Sequence, residues 1–258
     1  MQPIYGQYSY IYQTYDAQHA DRPDLKQDVL FYTDLALEAG GRVLEVGCGT
    51  GRVLLAIKKA GIDVWGLDIS EGMLELLRAK AKKLGFNCKL HVGDMRNFKL
   101  ERKFRLILLP FRVFQHMLKP ADQLAALGNL REHLLPGGRL ALNIFNADVE
   151  RLTRKSGQPL LEGSFTHPVS GRRVLQFAAT VPDWGQQVIH NQMMFHELDP
   201  AGKVVEQHVV PLSMRWTYRW EFEHLASRAG FTVESLHGGF DRSPFTAGSG
   251  EQVWVLKR

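Results

Sequence analysis

The chain has 258 residues, 45% hydrophobic and 23% charged, enough for one large α/β-sized domain or a domain with a sizeable insertion. No stretch approaches the length of an apolar membrane span and the first thirty residues show no cleavage pattern, so a cytoplasmic protein is expected. Its net charge of +5 (32 Lys+Arg against 27 Asp+Glu) is concentrated between Arg78 and Arg105, which reads as a solvated basic edge rather than a nucleic-acid footprint, and Cys48 and Cys88 make neither a disulfide framework nor a metal site.

Five of the seven tyrosines fall at the start of the chain: Tyr5, Tyr8, Tyr10, Tyr12 and Tyr15. A large ring with a polar tip suits a lid that closes on a ligand, or packing on a neighbour. Residues 24–39 carry apolar positions at helical spacing, and Gly40-Gly41 end that helix. Next comes RVLEVGCGTGR, residues 42–52: an apolar strand, the glycines Gly47, Gly49 and Gly51, then a helix. Glycine serves where the backbone takes positive φ or approaches a ligand, and the first N–H groups of a helix lack partners. The dinucleotide fingerprint G-x-G-x-x-G is not met, because Arg52 holds its third glycine position; the Gly-Lys-Ser/Thr ending of a nucleotide-phosphate loop is absent as well.

A second strand, Ile62 to Leu67, ends in Asp68-Ile69-Ser70, where a ribose-binding fold places a carboxylate. Ser70 caps the following helix, so Asp68 is left for a ligand. The third strand, Cys88 to Val92, leads to Gly93-Asp94-Met95, and the fourth, Phe104 to Leu109, to Pro110-Phe111-Arg112 and onward to Gln115-His116. A helix over Asp122 to Leu135 closes at Pro136-Gly137-Gly138 before a fifth strand, Arg139 to Phe145. The alternation then stops. Phe165–Val169, Arg173–Val181, Gln187–Glu197 and Val204–Leu212 read as strands of an antiparallel meander, separated by turn signals. A helix from Trp216 to Ala229 and strands over Phe231–His237 and Gln252–Leu256 complete the chain.

The run E-x-G-x-G-x-G from Glu45, the acidic end of the second strand, Asp94-Met95 and LLPGGRL together resemble the class I S-adenosylmethionine-dependent methyltransferases over residues 42–145. Tyr15-Asp16 resembles an element that many small-molecule members carry ahead of the glycine loop. The resemblance implies a Rossmann-like, doubly wound, seven-stranded sheet with its last strand antiparallel, interrupted by an inserted antiparallel β meander. The domains expected are an N-terminal lid and helix (1–40), the cofactor-binding core (41–146), the insertion as substrate cover or dimer face (147–213) and the completion of the core (214–258).

It also implies S-adenosyl-L-methionine as cofactor, with S-adenosyl-L-homocysteine as product and no metal. Glu45, Gly47, Cys48, Gly49, Gly51, Asp68, Ile69, Met73, Asp94, Met95 and Pro110 would hold it. The acceptor would meet Tyr12, Arg112, Gln115, Arg215 and Trp216, with His116 and Tyr15 as catalytic residues; His116 stands out because imidazole titrates near neutral pH. The function implied is methyl transfer to N or O of a soluble small molecule, without membrane or nucleic-acid partner, with a homodimer as an assembly the resemblance admits. A tRNA or protein methyltransferase and a non-catalytic cofactor-binding subunit are the alternatives.

Overall fold

The computed structural model describes residues 9–20, 24–147, 152–153 and 156–258; Tyr5 and Tyr8 lie outside them. In chain order the elements are α1 (Ser9–His19), α2 (Asp24–Ala39), β1 (Val43–Val46), α3 (Arg52–Lys59), β2 (Val64–Asp68), α4 (Glu71–Lys83), β3 (Lys89–Val92) and β4 (Phe104–Leu109). A short 3-10 helix (Val113–His116) follows, then α5 (Pro120–His133), β5 (Leu134–Phe145), β6 (Leu160–Thr166), β7 (Arg173–Asp183), β8 (Val188–Leu198), β9 (Val204–Arg215), α6 (Arg219–Arg228), β10 (Thr232–His237) and β11 (Glu251–Lys257). Among the described residues no helix is long and apolar enough to cross a membrane.

These elements form two compact units. The larger takes residues 24–147 and 216–258 and holds a seven-stranded sheet in the order β10-β11-β5-β4-β1-β2-β3. Strands β1 to β5 run parallel, while β11 is antiparallel to β5, as expected for a last strand. The order reverses between β1 and β4, and in such sheets ligands bind outside the carboxyl ends of the strands at that switch point. Both faces are covered: Leu44, Ile107, Leu140 and Trp254 belong to one buried cluster, and Val43, Leu106, Leu108 and Val255 to a second that includes Phe31, Tyr32 and Leu54. The two-sided burial shows in β1, buried throughout, and in β4, buried at every residue except Arg105.

Helix α4 shows how local chemistry sets an element's ends. The Ser70 hydroxyl accepts from Met73 N–H, Glu71 lies in the first turn and Lys80, Lys82 and Lys83 in the last, each sign matching the helix dipole. Gly85, at φ 72°, turns the chain away.

Helix α5 corrects the expected boundary, since it stops at His133 and β5 already begins at Leu134. Leu134 is fully buried and pairs with Phe104, and the ladder resumes only at Arg139 opposite Leu106. Pro136-Gly137-Gly138 therefore forms a bulge within the strand rather than a helix-to-strand turn. A side chain on Gly138 would sit 2.9 Å from the Leu135 carbonyl and 3.1 Å from that of Arg105, so only glycine allows the close approach.

The smaller unit takes α1 and the described residues from 152 to 215, with an antiparallel sheet in the order β6-β7-β8-β9. Its first strand runs from Leu160 to Thr166, not Phe165 to Val169. Pro168 has no N–H for a ladder, and Val169 N–H and Ser170 N–H turn back onto His167 Nδ1 at 3.3 and 3.1 Å. The earlier start is masked in sequence by Gly163, which marks a register shift. Tyr10 and Ile11 of α1 are buried with Val174, Phe195 and Val210 of the sheet.

Candidate cofactor site

The site is built at the carboxyl ends of β1 to β4. The loop after β1 is fastened to β2 by Gly47 N–H and Cys48 N–H, both donating to the Leu67 carbonyl (2.7 and 3.1 Å), and closes when Gly51 N–H donates to Cys48 (2.9 Å). Gly47, Gly49 and Gly51 all have positive φ, at 70°, 52° and 90°. Their reasons differ. A Cβ on Gly47 would lie 2.6 Å from both methyls of Val113, and one on Gly51 2.1 Å from Leu77 Cδ1. At Gly49 it would meet nothing within 4 Å, so that residue leaves open space beside the loop.

Asp68 joins the two strand ends. One carboxylate oxygen accepts from Gly49 N–H at 2.8 Å and the other from Ser70 N–H at 2.9 Å, while Gly93 N–H donates to the Asp68 carbonyl and brings in the end of β3. Burial pushes the Asp68 carboxyl above its ordinary value, opposed by the hydrogen bonds from Ser70, Gly49 and Ile69. A carboxylate offers about four lone-pair sites, so acceptor capacity remains for ligand hydroxyls.

Behind the loop stands Glu45, 3% exposed, whose Oε2 is buried with no hydrogen-bond partner. Burial pushes its carboxyl well above the usual range; Arg52 opposes this, and Asp28 and Asp68 add to it. Arg52, in the position that excluded a dinucleotide loop, pairs through both terminal nitrogens with the buried Asp28 of α2, one contact at 2.7 Å. Because the folded pKa of Glu45 is raised, its burial costs stability at neutral pH, and that cost disappears as pH falls through the folded value toward 4.5. Glu45→Gln should therefore be more stable than the parent chain at pH 7, with the difference vanishing near pH 4.5. Denaturant titrations across that range measure it, and a parent chain that is the more stable at pH 7 contradicts the assignment.

Other residues expected here sit as follows. Ile69 is 40% exposed at the site rim, Cys48 and Pro110 are buried, and Met73 is buried in α4 with its N–H capped. Met95 lies in the core after β3. Asp94 is gripped by Arg96, whose Nε and Nη2 lie 3.0 and 2.5 Å from it, and that hydrogen bonding holds the Asp94 carboxyl below its usual value.

The residues expected at the acceptor are less gathered. After β4, Phe111 and Arg112 are consecutive residues in the left-handed region (φ 58° and 63°), leading into the 3-10 helix that ends at the half-buried His116. Consecutive left-handed non-glycine residues are costly and collect at functional sites. The guanidinium of Arg112 is engaged by Glu251, with Nε at 3.0 Å. Gln115 is fully buried and accepts from Phe145 N–H at 2.9 Å, which braces β5. Trp216 is buried as well. Tyr12, Tyr15 and Arg215 belong to the smaller unit, where Tyr15 packs on His19 and Arg215 holds the β7–β8 turn through Gln186 and Gln187.

The sequence reading missed Asn143, Glu251 and Tyr32. Asn143 accepts from Tyr32 OH (3.1 Å) and Arg112 N–H (3.3 Å) and donates to Glu251 Oε2 (2.9 Å), tying β5, β11 and α2 to the turn after β4. A lone asparagine in the apolar run LALNIF was the available signal.

A doubly wound sheet with an acid-lined glycine loop at its switch point is the architecture expected of a class I methyltransferase. Residues 43–138 match the family described as Methyltransferase domain. The chain is 29% identical to dTDP-3-amino-3,4,6-trideoxy-alpha-D-glucopyranose N,N-dimethyltransferase of Streptomyces venezuelae, over 87% of this chain and 94% of that protein. It is 26% identical to cypemycin N-terminal methyltransferase of a Streptomyces species, over 85% and 84%. Among solved structures, the CcbJ methyltransferase from Streptomyces caelestis superposes with a TM-score of 0.74 at 26% identity, covering 91% of this chain and 95% of that one. Residues 43–138 thus carry a methyltransferase domain, and the chain is an S-adenosylmethionine-dependent methyltransferase that resembles the bacterial small-molecule enzymes of class I. S-adenosyl-L-methionine is its cofactor, and the site fits that group: an orphaned buried carboxylate oxygen suits a cationic ligand, and Gly49 leaves room beside it.

Proposed function

We propose that the protein transfers a methyl group to the nitrogen of a soluble small molecule, an amino sugar carried on a nucleotide being the first candidate, with oxygen as the alternative acceptor atom. The observation that carries the donor half is the unpartnered Glu45 Oε2 together with the open space at Gly49 of the loop that follows. Support for the acceptor half comes from the relative that spans 87% of this chain and whose name specifies an N,N-dimethylated amino sugar. Glu45, the Gly47–Gly51 loop, Asp68 and Ile69 would hold the cofactor, with Asp94 and Met95 at its adenine end.

When bound, the cofactor supplies a methyl group already activated on a positively charged sulfur. The chain's own task is then mostly positioning, which in well-oriented systems is worth about 7–11 kcal/mol of barrier. Phe111 and Arg112 set the direction of the chain after β4, and Asn143 and Glu251 fix that turn. His116 would take the proton that an ammonium or hydroxyl acceptor gives up. We place the enzyme in the cytoplasm.

Calorimetry with S-adenosyl-L-methionine and mass spectrometry of products from a panel of amino-sugar nucleotides test this. The expected result is cofactor binding together with mass increments of one or two methyl groups. Binding of NAD without the sulfonium would overturn the donor reading, and cofactor binding without any turnover would leave a binding subunit. With a true acceptor, His116→Ala should lower kcat/KM about 10²–10⁴-fold and remove the limb of the pH profile near neutrality. An unchanged pH profile would exclude His116 as the base.

A further inference from the structure

Outside the cofactor site, the smaller unit contains a cavity of about 590 Å³ whose lining includes Tyr10, His167, Arg172, Glu197, Glu206 and His208. The β-ladder explains the convergence. Glu197 of β8 pairs directly with Glu206 of β9, which puts two carboxylates side by side on one face, and His208, two residues along β9, shares that face. Like charges directly opposite each other in an antiparallel pair are destabilising unless something neutralises them. The side-chain ligand atoms of Glu197, Glu206 and His208 all lie within 4.8 Å of one another.

Two further observations point to a ligand. Tyr10, stacked on the His208 ring at 3.8 Å, is only 8% exposed, and its buried hydroxyl, beside the Glu197 carboxylate, completes no well-formed hydrogen bond. The buried Nε2 of His208 is 3.1 Å from Glu206 Oε1 and yet completes no hydrogen bond. Two ligands on one tetrahedral zinc, each at about 2.0–2.1 Å, stand roughly 3.3 Å apart, so this separation suits an ion placed between them.

The surroundings are those of a ligand set. His167 Nδ1 accepts from two backbone N–H groups, so its proton is on Nε2, directed at Glu197 Oε1 3.7 Å away. Ser170 Oγ donates to Glu197 Oε2 at 3.2 Å, and Arg172 stands 3.6 Å from the same oxygen. Outer contacts of this kind fix the orientation of metal-binding carboxylates.

We propose that Glu197, Glu206 and His208 form a site for a divalent transition-metal ion of the zinc class, with the Tyr10 hydroxyl donating to a carboxylate or to a water on the ion. Mixed imidazole and carboxylate donors favour zinc over calcium or magnesium. Through Tyr10 the ion fixes α1 onto β9, so it has a structural role within this unit and takes no part in methyl transfer.

The test is calorimetric titration of the full, tag-free chain with zinc chloride after chelator treatment, alongside the cobalt(II) absorption spectrum. The expected result is one site per chain, with the visible bands of four-coordinate cobalt, at least about 100-fold weaker in His208→Ala and in Glu206→Gln and about 10-fold weaker in Tyr10→Phe. Glu206 is half-exposed, and unchanged S-adenosyl-L-methionine affinity in Glu206→Gln separates loss of the metal from loss of the fold. Absence of zinc binding in the parent chain, or binding that neither His208→Ala nor Glu206→Gln weakens 10-fold, overturns the proposal.

Discussion

Asp68→Ala should weaken S-adenosyl-L-methionine binding at least about 100-fold, roughly 2.7 kcal/mol, in calorimetric titration. The carboxylate has two tasks. It accepts from Gly49 N–H and Ser70 N–H, which fastens the glycine loop to the start of α4, and its remaining lone pairs would be offered to ligand hydroxyls. Hydrogen bonds to a charged acceptor are worth about 1.5–3 kcal/mol each, and here the free chain already spends part of that opposing the burial of the charge. Removing the side chain loses the ligand contacts and also releases the loop that receives the ligand. Asp68→Asn keeps an acceptor for one N–H but turns an amide donor on the other, so it should fall between Ala and the parent. If Asp68→Ala binds within about threefold of the parent while remaining folded, the carboxylate is a structural link only.

Gly51→Ala and Gly49→Ala should separate packing from binding within one loop. At Gly51 the new methyl would stand 2.1 Å from Cδ1 of Leu77, a side chain with no exposure and no route outward. Left-handed backbone costs an L-residue about 1–2 kcal/mol, and overpacking adds about 1–3. A total of about 2–5 kcal/mol corresponds to a fall in Tm of about 5–15 °C for a chain of this size. Gly49→Ala meets no atom within 4 Å and has φ 52°, near the ordinary left-handed value, so its Tm should fall by only a few degrees, about 1–2 kcal/mol. Its methyl occupies the open face instead, and cofactor affinity should drop about 10-fold or more. Scanning calorimetry and binding isotherms on the two variants decide the matter. Equal losses of stability would mean that the loop serves packing alone.

The parallel half of the fold was legible because its signals are local. Strand β4 matched residue for residue, Ser70 announced the start of α4, and the apolar runs of β1 and β4 reported burial on both faces. Boundaries failed where a distant partner decides them. Leu134 and Leu135 fit a helix end until Phe104 takes Leu134 into the sheet, and the start of β6 was hidden because Gly163 breaks the alternation. Among the residues expected at the site, Asp68 and Gly49 are joined by a hydrogen bond, whereas Gln115 and Trp216 are buried.

By itself, then, the sequence determined the order of strands and helices, the glycine loop and the acidic ends of β1 and β2, because hydrophobic periodicity, capping and positive φ act over a few residues. Tertiary structure alone decided which glycine leaves open space, that Arg112 is engaged by Glu251 through a network centred on Asn143, and that Glu197 faces Glu206 under Tyr10. Those facts rest on contacts between residues as far apart as Arg112 and Glu251 or Tyr10 and His208. Only the closure of the chain into sheets, with its register and its buried charges, brings such residues within hydrogen-bonding reach.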